Sequence, residues 1–472
     1  MPVMAMGKRG GEQEDLFVTH EQLRAASHPF YQAVNRLLGD RGFDRYAEKI
    51  CAKFYSDGVG RPGLAPGIYF RLLLLGYFEG IDSERGIAWR AADSLSLRDF
   101  LGIPPSKATP DHSTISKARK RIDLETHQSI FTWVLGVLDD AGLIKGKTLG
   151  VDGTTLEANA AMKSIVRRED GRSYHEFLVD LAKNSGIETP TREDLARIDR
   201  KRNKKGSNDH WQNPGDPDAK ITKMKDGRTH LAHKQEHAVD MDTGAVVAVT
   251  VQGANEGDTS TIEGTLEAAE QNLEEARRNA GDGSKMVAQP LNVVGDKGYH
   301  SRAVIQSLTA AGWRTYIAEP RRGRQRWEGQ RAERDAVYAN RARKDSVRGR
   351  ELMRLRGELI ERSFAHTLET GGMRRTHLRG HENIAKRMLV HVAAFNLGLL
   401  MRKRFCVGTP RGLQAALAAL LSIAIAWLAV VATLIQRSLV DLAAATRGFL
   451  LPVRVRLPLK LPRTERPLST GC

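Results

Sequence analysis

The chain has 472 residues and a formal net charge of +17, with a sequence pI near 9.8. This length predicts two or three domains, and such a positive charge disfavours a soluble enzyme of small molecules. A polyanionic partner is favoured instead, because neutralising phosphates releases counterions and supplies affinity. Aromatic residues make up only 6%, which favours duplex backbone contacts over stacking on single strands. The scattered cysteines, Cys51, Cys406 and Cys472, form neither a disulfide framework nor a C-x-x-C metal site, as expected in a reducing cytoplasm.

The N-terminal part of the chain predicts helices. Residues 1–20 are Gly-rich and charged, which predicts disorder, and they lack the apolar core of a signal peptide. Helical periodicity runs from residue 21 to 55, and a short apolar helix over 68–78 is predicted to be buried. Another helical stretch follows Ser83 and reaches Phe100. We therefore predict a helical DNA-binding domain over residues 21–125.

The segment that begins at Thr109, TPDHSTISKARKRID, predicts a short basic helix capped by Asp111 or Ser113. A capped basic helix after a helical pair is typical of the recognition helix in a helix-turn-helix. A solvated charged face explains the same spacing equally well. The residues that would contact DNA are Lys117, Arg119, Lys120 and Arg121.

Two distant stretches share one pattern, in which an apolar run leads into an aspartate. Residues 148–154, TLGVDGT, lead into Asp152, and residues 291–300, LNVVGDKGYH, lead into Asp296. Two strands that end in this way can lie side by side and direct both carboxylates into one cleft. Such oxygen ligands suit Mg²⁺ or Mn²⁺. Two Asp-Gly turns without a metal are the alternative.

Between the two aspartates the chain holds a charged insertion at about 158–229, predicted to form helices and loops on the DNA side. Its basic run RKRNKK, residues 200–205, contains Lys201 and Arg202. Such runs are usually solvated, but beside a metal cleft they favour phosphate binding.

The sheet is predicted to resume with strands over 238–241 and 245–251, joined by the turn Asp242-Thr243-Gly244. Asp258 and Thr259 are predicted to cap a helix that runs to residue 278, and Ser301 is predicted to cap a helix after the Asp296 strand. Residues 314–317 predict a further strand. This mixed order is typical of an α/β (α+β) fold with an RNase H-like mixed sheet, which we expect over residues 140–404.

Cofactor motifs give little support to other chemistries. No Gly-x-Gly-x-x-Gly or Gly-Lys-Ser/Thr phosphate loop occurs in the sequence, which disfavours NAD or ATP use. The spacing of three neighbouring histidines matches no structural zinc site, so we expect one or two of them to contact phosphate or to pack near the cleft. They are His230, His233 and His237.

Residues 321–362 contain fourteen Arg or Lys against seven Asp or Glu, and are the best candidate for a surface that grips DNA. A predicted helix over 351–368 overlaps the end of this stretch and carries Glu361 beside its apolar stripe. Glu358, one helical turn away, is the substitute for Glu361. A second basic cluster precedes an apolar helix over 388–400. It comprises Arg374, Arg375, Arg379, Lys386 and Arg387.

The C-terminal part, residues 405–472, predicts an apolar helix and an irregular basic tail. Residues 413–435 carry no charge over 23 positions, long enough to cross a membrane. Basic residues flank both ends and leave no marked charge asymmetry to orient a span. We therefore expect a buried or self-associating helix rather than a membrane anchor.

Three motifs together, VDGT at Asp152, GDKGYH at Asp296 and ERSFAH at Glu361, resemble the DDE transposases of bacterial insertion sequences. The resemblance implies a catalytic triad of Asp152, Asp296 and Glu361 that holds two Mg²⁺ or Mn²⁺ ions. It also favours DNA recognition over the solvated reading of the helix near Ser113. Many relatives carry a lysine seven residues after the glutamate, where this chain has Leu368. That role in DNA binding would pass to Arg362, Arg374 or Arg375.

The function implied by the resemblance is metal-dependent cleavage and strand transfer at the terminal inverted repeats of the chain's own element. Double-stranded DNA would be the partner, a homodimer or larger assembly is expected, and the location would be the bacterial cytoplasm. The alternatives are a nuclease without strand transfer and a degenerate, non-catalytic DNA-binding or membrane-tethered protein. The further residues predicted to bind DNA are Lys297, Arg324 and Arg326.

Overall fold

The structure is a computed structural model and describes residues 27–449 except 57–59, 61, 203–205, 225, 281–282, 322 and 324. The prediction of disorder for residues 1–20 and the interpretation of the last residues of the tail lie outside the described residues. The described part is a mixed helical and β structure with an N-terminal helical region. Residues to Leu413 form one compact unit, and those from Gln414 form another.

The N-terminal helices are shorter and more numerous than the periodicity predicts. The stretch expected over 21–55 divides at Gly42, whose positive φ of 66° ends one helix and starts the next. The stretch after Ser83 divides in the same way, because Ser94 caps a new helix with its side chain. The helices are α1 (Pro29–Asp40), α2 (Phe43–Cys51), α3 (Pro66–Glu79), α4 (Glu84–Ala92), α5 (Leu95–Leu101), α6 (His112–Arg121) and α7 (Leu124–Asp140).

Helix α7 was not predicted, and it fills the gap between the two expected domains. Its buried residues, such as Phe131 and Leu135, belong to the same core as the buried helix α3 and the central strand residue Val151. Residues 125 and 140 therefore do not separate two independent cores.

The main sheet has the order β4-β5-β1-β7-β8, and β6 pairs with the other end of β5. Strand β1 lies between antiparallel β5 and parallel β7, and β7 lies parallel to β8. This mixed arrangement confirms the predicted fold class. The strands are β1 (Thr148–Glu157), β4 (Lys220–Lys223), β5 (Thr229–Asp240), β6 (Val246–Gly253), β7 (Asn292–Gly295) and β8 (Arg314–Ile317).

The strands fit the sequence pattern to different degrees. The predicted strand at Arg314–Ile317 and the turn at Asp242–Gly244 are confirmed, and Gly244 adopts a positive φ of 78°. Strand β5 begins at Thr229, well before the predicted start at 238, because it is the inner strand that pairs on both edges and its polar residues are buried. The continuous burial hides the alternation by which strands are recognised.

The insertion contains helices and loops, as predicted, and also a small two-stranded sheet. Helices α8 (Tyr174–Asn184) and α9 (Arg192–Lys201) are each opened by a capping box. Strands β2 (Val166–Arg167) and β3 (Trp211–Gln212) pair antiparallel. Trp211 and Ile221 lie in a small hydrophobic cluster of this region, apart from the main core.

The remaining helices cover the sheet. They are α10 (Asp258–Ala280), α11 (Arg302–Ala310), α12 (Arg331–Asp345), α13 (Val347–Phe364) and α14 (His381–Phe405). Helix α13 continues into a π-helical turn, Ala365–Thr370, and Ser301 caps α11 as predicted. The apolar helix expected over 388–400 is α14, which packs against α7, α3 and strand β6. Asn396 fixes this packing, since its side chain exchanges hydrogen bonds with the backbone of Val246 at 3.0 and 2.8 Å.

The C-terminal helix α15 runs from Pro410 to Phe449. Its large apolar side chains from Leu421 to Leu439 are exposed, so the expectation that this segment is buried within the chain is wrong. Among the described residues two helical segments are long and apolar enough to cross a membrane, which is weak support for a membrane span. In the first, His381–Leu413, 89% of the residues in the most apolar stretch are buried inside the protein, whereas none of those in the second, Leu421–Leu439, are buried.

Candidate active site

Asp152 lies within strand β1, which continues to Glu157, and so it does not end a strand as predicted. The parallel pairing of β1 with β7 stops at Gly150, however, while the antiparallel pairing with β5 continues past it. Asp152 therefore still lies at the carboxyl edge of the two parallel strands. The alternative of a simple Asp-Gly turn at this position is wrong.

Asp296 directly follows β7, as predicted. Its Oδ1 accepts a hydrogen bond from the backbone N–H of Gly298 at 2.8 Å, and it caps the short 3₁₀ turn Lys297–Tyr299. The turn keeps the carboxylate at the strand end with one oxygen engaged by the backbone.

The carboxyl group of Asp152 lies in a mainly desolvated and strongly charged environment. Burial raises its pKa, the guanidinium of Arg356 lowers it, and the nearby carboxylates of Asp296 and Asp258 raise it. Arg356 Nη2 lies 2.8 Å from Asp152 Oδ2. The pKa of Asp152 is raised above the ordinary aspartate value as the net result.

Glu361 is exposed on α13, although the sequence placed it at the edge of a packed face. The packed face is formed by Ile360 and Ser363, its neighbours in the helix. Glu361 and Asp152 line one cleft of about 230 Å³, together with Phe364, Glu369 and other residues. Glu358, the predicted substitute, instead forms an ion pair with Arg362 at 2.6 Å.

The donor set in this region consists of carboxylate oxygens, which suits a hard divalent cation. Asp152 and Asp296 lie close enough to interact electrostatically, and Glu361 faces the same cleft as Asp152. Across the part of the chain that the structure describes, no three His, Cys, Asp or Glu side chains are gathered tightly enough to hold one metal ion. The residue types fit a metal, and ligation by all three would need Glu361 and the aspartates to draw together.

The basic helix α6 forms as predicted, with Asp111 as its cap. Lys117 and Lys120 are exposed, and Arg121 lies over the ring of Tyr55 at 5.3 Å. Arg119 is buried, so its predicted place on an exposed DNA-binding face is wrong. Its Nε donates to Glu84 Oε1 at 2.7 Å, which fixes α6 against α4.

The other basic residues differ in how far their side chains are exposed. Lys201, Lys297, Arg326, Arg362, Arg374 and Arg375 are exposed, and Arg324 lies outside the described residues. Arg202 is instead only partly exposed and lies over the ring of Phe177 at 4.8 Å. In the second basic cluster Lys386 and Arg387 are buried, and burial lowers the pKa of Arg387 to about 10.

Arg374 and Arg375 approach strand β1 through its backbone. The N–H of Glu157 donates to the carbonyl of Arg374 at 3.3 Å, and the N–H of Thr376 donates to the carbonyl of Glu157 at 3.0 Å. Leu368, which stands where relatives carry a lysine, is buried in the main core. A lysine at this position would be desolvated. The exposed arginines are therefore better candidates for the DNA-binding role that the lysine has in relatives.

The three histidines have separate partners rather than a common ligand. His230 contacts Asp226 at 2.9 Å, and buried His233 contacts buried Asp216 at 3.1 Å. His237 is buried, forms a hydrogen bond of 2.9 Å with the hydroxyl of Ser363 and stacks on the ring of Phe364. Burial lowers the pKa of His237 to about 3. It therefore packs beneath α13, in agreement with the expectation of packing near the cleft.

Sequence reasoning missed three residues beside the carboxylates. Arg356 lies in the basic stretch but was not distinguished from the other arginines. Asp258 is the first residue of α10, and its carboxylate pairs with Lys234 at 2.7 Å. The third residue is Lys234, which is buried in strand β5. A lysine within a strand was the signal that could have indicated this network, because a buried charge requires a partner.

The family described as "Transposase domain (DUF772)" matches residues 18–121, and the family described as "Transposase DDE domain" matches residues 190–397. Asp296 and Glu361 lie inside the second match, and Asp152 lies between the two. Comparison with curated proteins gives no match. The chain belongs to the DDE transposases of the insertion-sequence type.

Proposed function

We propose that this transposase cleaves DNA at the terminal inverted repeats of its own element and transfers the cut strands to target DNA. The observation that carries the proposal is the placement of Asp152 and Asp296 at one sheet edge, with Glu361 facing the cleft of Asp152. The two family matches support DNA as the substrate, and the net charge of +17 agrees with it.

Asp152, Asp296 and Glu361 are the residues that would hold Mg²⁺ or Mn²⁺, in a two-ion site. When bound, such ions supply charge stabilisation at the scissile phosphate and lower the pKa of a water or 3′ hydroxyl. The chain itself contributes the fixed strand edge, the 3₁₀ turn that orients Asp296 and a cleft beside exposed Arg374. These features position a phosphate without a covalent protein intermediate.

DNA would contact exposed basic side chains on two regions. Lys117 and Lys120 on α6 would bind the element end, and Lys297, Arg326, Arg362, Arg374 and Arg375 would bind the DNA that flanks the scissile phosphate. We also propose that the active form is a homodimer or larger assembly on DNA, in the bacterial cytoplasm.

Asp296→Asn tests the proposal, because the amide keeps the shape of the side chain but loses the charge that holds the metal. We expect cleavage of labelled element ends to fall below about one thousandth of wild type, a loss typical of removing a group essential to the chemical step. Affinity for the ends should change less than about threefold, since it comes from distributed Arg and Lys contacts.

The control is Asp242→Asn, which removes a carboxylate from a turn away from the cleft. Equal loss of binding and cleavage in Asp296→Asn would show that Asp296 is structural. Cleavage by wild type without joining to added target DNA would reduce the function to that of a nuclease.

A further inference from the structure

A charged network is buried directly beside the proposed site, and it links the elements that carry Asp152 and Asp296. Its centre is Lys234 on β5, which is 5% exposed. Lys234 Nζ lies 2.7 Å from Glu236 Oε1, 2.7 Å from Asp258 Oδ1 and 2.9 Å from Thr261 Oγ1. Burying such a cation is costly unless acidic partners compensate its charge, and here two of them do.

The network reaches the strand of Asp152 through Gly153. In the β1–β5 register Gly153 lies opposite Glu236, and Thr155 lies opposite Lys234. A Cβ at Gly153 would lie 3.0 Å from Lys234 Cε and 3.2 Å from Glu236 Cγ. The two side chains therefore pack closely on the backbone next to Asp152, and glycine is the residue that leaves room for them.

The network reaches the turn of Asp296 by two routes. Glu236, which is fully buried, accepts hydrogen bonds from Thr261 and Thr265 and from the hydroxyl of Tyr299 at 3.1 Å. Tyr299 belongs to the 3₁₀ turn that follows Asp296, and burial raises the pKa of its hydroxyl, which keeps it a donor. Asp258 contacts the other side of the same turn, since a Cβ at Gly298 would collide with its carboxylate.

We propose that Lys234 is a positioning residue for the transposase reaction. It fixes the distance between the Asp152 strand and the Asp296 turn, and it offsets the repulsion among the neighbouring carboxylates. Its buried ammonium is held by Glu236, Asp258 and Thr261, so Lys234 would act through these groups rather than on the DNA. The proposal rests on the proposed function for its activity readout, and it carries a separate readout in metal binding by the DNA-free protein.

The test compares full-length wild type with Lys234→Met, which keeps the length of the side chain and removes the charge. We expect cleavage of element ends to fall by about 10- to 100-fold, the usual loss when a group that orients metal ligands is removed. The Mg²⁺ concentration for half-maximal cleavage should rise by about tenfold or more, and Mn²⁺ affinity of the DNA-free protein should fall by a similar factor. Affinity for the ends should stay within about threefold.

Two further variants separate positioning from folding. Lys234→Met/Glu236→Gln removes both members of the buried pair, so it should regain most of the thermal stability lost in Lys234→Met while cleavage and Mn²⁺ affinity stay low. Tyr299→Phe removes only one hydroxyl from the network and should give a smaller change in the same direction. Lys223→Met, at the exposed end of β4, is the matched control and should leave every readout unchanged.

Normal Mg²⁺ dependence and normal Mn²⁺ affinity in Lys234→Met would overturn the proposal, and so would recovery of activity in step with stability in the double variant. Wild type that binds Mn²⁺ but does not cleave would overturn the proposed function alone, with Lys234 then judged by Mn²⁺ affinity. Wild type that neither binds Mn²⁺ nor cleaves would overturn both.

Discussion

The charge of Asp152 is balanced by an arginine of helix α13. Asp152 is 28% exposed at the side chain, and Arg356, 12% exposed, holds one of its oxygens. Arg356 also lies 3.4 Å from the carbonyl of Val151 through its Nε. A single guanidinium from α13 therefore contacts both a carboxylate and the backbone of strand β1.

This pairing predicts how activity depends on pH. The pKa of Asp152 is raised, so the carboxylate takes up a proton at a higher pH than an ordinary aspartate and then loses its charge for the metal. Cleavage should therefore fall with decreasing pH while ordinary carboxylates are still ionised. Arg356→Gln should move this acidic limb to still higher pH, because the guanidinium lowers the pKa.

The measurement is the pH–rate profile at saturating DNA and Mg²⁺. Arg354→Gln is the matched control, since Arg354 is exposed and pairs with Glu358 on the same helix. An acidic limb that stays in place or moves to lower pH in Arg356→Gln would contradict the assignment of Arg356 as the partner of Asp152.

At the scale of elements, the sequence predicts the caps and strands that depend only on neighbouring residues. The cap at Asp111, the cap at Ser301 and the strand Arg314–Ile317 depend on neighbouring residues, and the structure has all three. Strand β5 and helix α7 were mistaken or missed because tertiary burial, rather than local alternation, fixes them. The pairing of Arg356 with Asp152 depends on the direction of a side chain across two distant elements, which spacing alone does not give.

Helix α6 contains both a basic residue with a structural role, Arg119, and a basic residue on its exposed side, Lys120. Arg119→Ala should destabilise the protein by about 3–5 kcal/mol, because it leaves Glu84 in a largely desolvated place without its partner. Lys120→Ala, one residue along on the exposed side, should change stability by less than about 0.5 kcal/mol.

Urea unfolding of the two variants measures the difference, and titration with element-end DNA gives the second half of the prediction. Lys120→Ala should weaken DNA binding and reduce its salt dependence, since one phosphate contact is lost. If Arg119→Ala unfolds as wild type does while losing DNA affinity, then the structural role given to Arg119 is wrong.

At the scale of the whole molecule, the exposed apolar segment Leu421–Leu439 is the feature least accounted for by catalysis. Trp427 is 70% exposed and Leu428 is 68% exposed, and such a surface is covered by another molecule or by lipid in a stable protein. We expect self-association, because the many alanines make the segment less apolar than a leucine-rich anchor and basic residues flank both ends.

The expected result is that the full-length protein fractionates without detergent and forms oligomers, whereas a chain truncated after Gly412 has a smaller apparent mass. Sedimentation velocity of both chains measures this, with Trp427→Ser/Leu428→Ser in the full-length chain as the matched control for length. Recovery of the full-length chain only in an alkali-resistant membrane pellet, with release on truncation, would assign the segment to the membrane.

The cores of the N-terminal helices and of the sheet are complete only after helix α14 has been synthesised. It packs against α3 and α7 on one side and against β6 on the other, and Asn396 holds the backbone of Val246. At about 5–20 residues per second, a ribosome needs roughly 10 to 50 s to pass from Asp152 to the end of α14. During that interval neither the N-terminal helices nor the sheet has its full core. Premature release of the nascent chain should thus yield fragments that are degraded, rather than shortened proteins that occupy the element's ends and block the complete enzyme.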